Sequence, residues 1–152
     1  MTPGKLSQRV VGDKLEWINK MLEGINSLPL KSYEEFVSDS RNIWAAESCL
    51  RRALEALFDM GRHILSKCFG RGVSEYKEIA SELEKHEVLS EAEANLFRIL
   101  AGYRNRLVHF YHDVTEVELY RACKDNVGDI VTTRDVYLDW MERNPHMIEE
   151  QL

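Results

Sequence analysis

Of the 152 residues only three are proline and only three are cysteine. The cysteines, Cys49, Cys68 and Cys123, are far apart, odd in number and nowhere arranged as C-x-x-C. That pattern argues against a disulfide framework or a zinc ribbon and leaves three small apolar residues in a reducing compartment. No run of eighteen apolar residues occurs, so no membrane-spanning helix is expected. The opening MTPGKLSQRV lacks the apolar core of a signal peptide, and a cytoplasmic location is expected. Sustained alternation of apolar and polar residues, the mark of a half-buried strand, is also missing. The net charge of −6 argues against a broad basic coat for nucleic acid, though not against a local basic site.

What the chain has instead is helix formers. Apolar residues make up 44% and charged residues 30%, an ordinary soluble balance. No repeat or linker divides the sequence. Residues 1–152 therefore read as one domain, with a core over about 5–143 and a short C-terminal tail. A first helix is expected over 5–26, where Val11, Leu15, Ile18, Leu22 and Ile25 are spaced by four and three. Ser32 and Glu35 form a capping box that opens a long helix over 33–69. Within it Phe36, Ile43, Leu50, Leu57 and Ile64 recur every seventh residue beside Leu54, Gly61 and Cys68, a seam through which helices could dimerise. Gly61 reads as a point of close helix approach. A short helix follows over 75–86. Ser90 with Glu93, and Thr115 with Glu118, make capping boxes for the fourth and last helices, and Pro145 stops the last one. The expected fold class is all-α, an antiparallel bundle of about five helices. Trp17, Trp44 and Trp140 read as core or interface residues, and Arg51, Arg52, Arg62 and Lys67 most simply as solvated, with a place along the cleft as the alternative for some of them.

One stretch runs against the charge of the whole. Residues 98–112 hold Arg98, Arg104, Arg106, His109 and His112 and no carboxylate. Projecting the fourth helix through residue 112 puts Leu96, Leu100, Tyr103, Leu107 and Phe110 on the core face. Asn105, His109 and His112 fall opposite, and Arg104 shares a flank with Tyr111. Asn105 and His109 are an i, i+4 pair, so the amide could hold the imidazole in one tautomer. Histidine titrates nearest neutrality and serves as a general base, while an arginine fork suits phosphate oxygens. These are components for metal-free RNA cleavage: His109 would deprotonate the ribose 2′-OH and Arg104 would stabilise charge on the phosphorus centre. Arg106 and His112 are candidate RNA contacts. Arg104 and His109 stand about 140° apart on an ideal helix, too far to meet one phosphate easily. Either the helix ends within the motif or a second copy completes the site. Taken alone, Arg104 would most simply pair with a neighbouring helix. A metal on His109 and His112 has no supporting ligand motif elsewhere.

The form RNRLVHFY, an arginine, four residues, a histidine, one residue and a tyrosine, resembles the signature of the HEPN superfamily and its HepT-type toxins. The likeness extends to SYEEFVSDSRNIWAAESCLRRALEALFDMGRHIL as the long second helix and ILAGYRNRLVHFYHDV as the fourth helix with its active-site turn. Thr115 departs from the aspartate that often opens the last helix in relatives. The resemblance implies a homodimeric, metal-independent endoribonuclease toxin that needs no cofactor and cleaves RNA, with tRNA one candidate. It implies Arg104, Asn105 and His109 as catalytic residues. It also implies a minimal nucleotidyltransferase (MNT) antitoxin that neutralises the toxin by AMP transfer to Tyr111. The rival reading is an inactive HEPN domain, a nucleotide- or substrate-binding adaptor for such a nucleotidyltransferase. A helical interaction protein without chemistry is a third.

Overall fold

Most helices begin where a short polar side chain precedes an apolar periodicity. In the computed structural model, which describes residues 4–149, Ser7 caps α1 (Gln8–Asn26) by accepting from the Val10 amide at 3.3 Å. Ser32 caps the single-turn α2 (Tyr33–Val37) through the Glu35 amide. Asp39 caps α3 (Ser40–Phe69), accepting from the Arg41 amide at 2.9 Å. Next come α4 (Tyr76–Lys85) and α5 (Glu91–His109). Ser90 and Glu93 make the full reciprocal capping box on α5. Thr115 caps α6 (Glu116–Arg121), and a π-helical segment, Ala122–Asn126, joins it to α7 (Val127–Arg143).

The fold class is all-α, as expected, but five helices become seven among the described residues. The expected helix over 33–69 breaks at Ser38 and Asp39. Ser38 turns its hydroxyl back to the Glu35 carbonyl at 2.7 Å, and Asp39 is extended so that it can start a new helix. The second extra division is the π segment, which inserts Cys123 into the core. The β-branched stretch after it is helical, with Thr133 donating to the Asp129 carbonyl.

The seam read from the sequence as a route to helix dimerisation is instead buried within the single chain, at the centre of the molecule. α3 packs against every other α-helix, burying Leu50, Leu54, Leu57, Ile64 and Cys68. At Gly61 an added Cβ would lie 2.7 Å from the Tyr137 hydroxyl and 3.0 Å from Ile79, so the close approach is real. The Tyr137 hydroxyl is buried and donates to the Leu57 carbonyl at 3.1 Å. Of the three tryptophans, read as core or interface residues, Trp140 is core while Trp17 and Trp44 are exposed, Trp44 by 64%. The C-terminal segment is held to the bundle: the Leu6 amide donates to the Met147 carbonyl and the Glu149 amide to the Leu6 carbonyl, both at 2.8 Å. This short parallel bridge buries Leu6 completely and ties both ends of the bundle together.

Candidate active site

α5 carries Arg104, Asn105, Arg106 and His109 and stops at His109. The Phe110 amide still reaches the Arg106 carbonyl at 3.0 Å, but Phe110 itself leaves helical geometry and a 3-10 turn follows over Tyr111–Asp113. Of the two alternatives the sequence left, the helix does end within the motif. Projection of residues 110–112 onto a continuous helix therefore fails. Phe110, placed on the core face, is 54% exposed. The flank shared by Arg104 and Tyr111 loses its basis for the same reason.

The turn is clamped from both sides. Arg106 pairs its two terminal nitrogens with the two carboxylate oxygens of Glu118, one contact at 2.9 Å, and reaches the Asp113 carbonyl at 3.5 Å. Glu118 is thereby withdrawn from the expected capping box, and only the Thr115 half of that box forms. Arg106, expected as an RNA contact, is occupied in holding α5 to α6. Tyr103, one turn earlier, has its hydroxyl buried without a partner among the described residues. Burial first, and the Glu118 carboxylate second, push its pKa well above the usual phenol value.

Arg104 is the most constrained side chain of the stretch, its side chain only 16% exposed. One terminal nitrogen donates to Glu55 Oε1 at 3.1 Å and the other to Asn105 Oδ1 at 3.3 Å. Its guanidinium lies 4.6 Å from the centre of the Tyr76 ring, which stacks in turn on Phe58. Helices α3, α4 and α5 thus converge on one guanidinium. Five N–H groups serve this fork, so each terminal nitrogen keeps a donor for a ligand. A concavity of about 420 Å³, lined by Ser74, Glu75, Tyr76, Lys77, Arg104 and Asn105, offers room for one.

The remaining residues are more open. The Asn105 carbonyl is taken by Arg104 rather than by the imidazole of His109, contrary to the expected tautomer-holding pair. His109 is exposed, and its imidazole makes no hydrogen bond or ion pair among the described residues. Tyr111 is 62% exposed and meets His112 edge-on at 5.7 Å. His112 stands 3.6 Å from the Asp113 carboxylate. Arg98 is engaged by Glu84 at 3.0 Å and by Ser81 and Asn95. Glu55 and Tyr76 were missed, and no local signal marks them. They belong to helices remote in sequence.

A family model described as Ribonuclease HepT-like matches residues 18–136, which includes α3, α5 and the whole motif. The chain belongs to the ribonuclease HepT-like family. A relative named tRNA nuclease HepT, from Aphanizomenon flos-aquae, is 28% identical over 114 residues, covering 74% of this HepT-like chain and 77% of the relative. Among solved structures, a tri-AMPylated HEPN toxin of Shewanella oneidensis in complex with an MNT antitoxin is similar, with a TM-score of 0.75 and 17% identity. That match covers 86% of this chain and 97% of the other. The cytosolic protein YutE of Bacillus subtilis, of unknown function, matches with a TM-score of 0.74 and 19% identity over 91% and 93% of the two chains. At these identities the structural likeness shows the fold alone, which is that of the HepT-like HEPN toxins.

Proposed function

We propose that this HepT-like protein is the endoribonuclease toxin of a toxin–antitoxin pair and cleaves RNA without a metal. His109 takes the proton of a ribose 2′-OH, whose oxygen attacks the adjacent phosphorus. The bond to the 5′-oxygen breaks and that oxygen takes a proton from water, leaving a 2′,3′-cyclic phosphate on one fragment and a 5′-hydroxyl on the other. Arg104 stabilises the charge on the non-bridging oxygens. Asn105 orients that guanidinium, and His112 is a candidate contact to the strand. The observation that carries the reading is the contrast within two helical turns: a guanidinium held by three helices beside a concavity, then an imidazole without a partner among the described residues where the helix ends. The naming of a relative as a tRNA nuclease supports RNA, with tRNA foremost, as the substrate.

Two copies are expected to form the working site. Arg104 sits back against α3 and α4 while His109 projects from the end of α5, so a second copy facing the first would bring arginine and histidine to one cleft. Exposed Trp44, Ile99 and Phe110 offer apolar surface for such an interface or for an antitoxin. The antitoxin is an MNT-type nucleotidyltransferase, as accompanies the Shewanella toxin. It transfers AMP from ATP to Tyr111: the phenol oxygen attacks the α-phosphorus and pyrophosphate leaves. The exposure of Tyr111 at the turn supports its role as acceptor, and the added anion would compete for the arginine that receives the scissile phosphate.

The test is cleavage of tRNA and single-stranded RNA in EDTA by protein whose intact mass shows no AMP, beside His109→Ala. Loss of a general base should lower the rate about 10²- to 10⁴-fold, and the wild-type products should end in 2′,3′-cyclic phosphate. An unmodified wild type that cuts no RNA would transfer the assignment to the adaptor reading.

A further inference from the structure

A second concavity, of about 370 Å³ between α1 and α3, has no part in the chemistry above. Asp13, Lys14, Trp17, Arg52, Glu55 and Asp59 line it. Trp17 is 38% exposed, with Lys20 Nζ 5.5 Å and the Arg52 guanidinium 5.9 Å from its ring centre. The lining holds three carboxylates and two cations, but arginines outside it pair with two of the carboxylates. Asp59 is held by Arg62 at 3.1 Å, and Glu55 is shared between Arg51 at 3.4 Å and Arg104 at 3.1 Å. Asp13 is left as the one lining carboxylate without an ion pair among the described residues. Lys14, Lys20 and Arg52 have none either. Lys14 lines the concavity itself. Counting exposed Glu16 beside Trp17 with Asp13, the unpaired groups around this indole among the described residues are two carboxylates and three cations, a slight local excess of positive charge in a chain of net charge −6.

We propose that this concavity binds a nucleotide of single-stranded RNA, its base stacked on Trp17 and its phosphate held by Arg52, Lys20 and Lys14. Every base has a π-face, so an aromatic platform flanked by cations holds single strands with little regard to sequence. Both cations near the indole sit close to the outer limit of about 6 Å for a cation–π contact and ride on exposed, flexible stems. They can swing to a phosphate without breaking an ion pair. Glu55 lines this concavity and also binds Arg104, which lines the other one, so a single ion pair joins the two. A strand anchored at Trp17 would continue to the arginine of the motif. This continuation rests on the ribonuclease reading; the binding itself does not.

The test therefore uses an RNA that the 2′-OH mechanism cannot cut. A short, single-stranded 2′-O-methyl oligoribonucleotide is titrated into the full chain, free of AMP, and followed by fluorescence anisotropy. Trp17→Ala should weaken binding about 5- to 150-fold, the range for loss of one base stack, and Trp17→Phe should restore most of it. Arg52→Ala and Lys20→Ala should each lower the salt slope of the affinity by about 0.7. If Trp17→Ala folds poorly, the exposed charge reversal Arg52→Glu takes its place and should abolish binding at moderate salt. The proposal is overturned if wild type does not bind the oligonucleotide, or if Trp17→Ala melts and binds like wild type. A change in oligomeric mass at unchanged RNA affinity also overturns it, assigning the indole to a protein contact. Trp17-dependent binding by a wild type that never cuts would sink the ribonuclease reading and leave this one standing. Cleavage with an affinity indifferent to Trp17 would do the reverse.

Discussion

Arg104 is useful to a phosphate only if it is both aimed and available, and Glu55 acts on both properties in opposite senses. Its carboxylate holds one terminal nitrogen at 3.1 Å and so fixes where the fork points. The same negative charge competes with any incoming phosphate. Substitution separates the two effects. Glu55→Gln keeps an acceptor but removes the charge, so RNA should bind more tightly, with a lower KM and turnover within a few-fold of wild type. Glu55→Ala removes the acceptor as well. A displacement of about 1 Å in such a group costs on the order of 10²-fold in rate, so kcat should fall while KM changes little. Steady-state kinetics that resolve the two constants decide the matter; equal behaviour of Gln and Ala would remove the positioning role. Asn105 and Tyr76 share the task, one through its amide oxygen and the other through its ring face.

At the scale of elements, the motif works because one helix stops and the next starts within a few residues. Ser90 and Glu93 complete a capping box at the start of α5. Thr115 and Glu118 do not at the start of α6, because Glu118 is drawn to Arg106 across the turn. The carboxylate that could have capped a helix instead closes the loop that presents His109 and Tyr111. The packing of α3 on α7 and α4 has a sharper geometric limit at Gly61. Gly61→Ala improves helix propensity by about 1 kcal/mol, yet its methyl group would meet the Tyr137 hydroxyl at 2.7 Å and Leu83 at 3.1 Å. Overpacking of this kind costs about 1–3 kcal/mol, so the variant should melt lower than wild type. Gly128→Ala is the matched control, since its methyl group would meet nothing within 4 Å. That variant should gain up to about 1 kcal/mol. Calorimetry on the pair checks the sign of each change.

Across the whole molecule, acidity and local basicity coexist because ion pairs are unevenly distributed. The carboxylates beside the motif are consumed by Arg51, Arg104 and Arg106, and the lysines of the α1–α3 face are not. That same face makes stability depend on pH through His63. Its half-buried imidazole lies near Lys14 and Lys67, and burial and these two charges lower its pKa below 6.5. A depressed value means that the unfolded chain takes up the proton first as pH falls. Stability from this group is then complete above about pH 6.5 and is lost as pH falls through the folded value. His63→Gln should accordingly show a smaller drop in Tm between about pH 7 and pH 5 than wild type. Parallel melting curves for the two proteins would show that His63 plays no part.

The sequence by itself determined the helical class, the capping residues Ser32, Ser90 and Thr115, the α3 seam with its glycine, and the short run that holds Arg104, His109 and Tyr111. These are local properties, written in spacings of three, four and seven residues and in the preference of small hydroxyl side chains for helix ends. Only the tertiary structure decided where periodicity stops. Ser38 and Asp39 split the long helix, and Phe110 turned out to solvent although it continues the apolar stripe. It alone paired Arg104 with Glu55, 49 positions away, and laid Tyr76 beneath the guanidinium. It also drew Glu118 from a cap to Arg106 and Asn105 from a histidine to an arginine. The reason is physical: a carboxylate or amide side chain can take only one rotamer at a time. Which partner it takes depends on what the packing of other helices brings within about 3 Å.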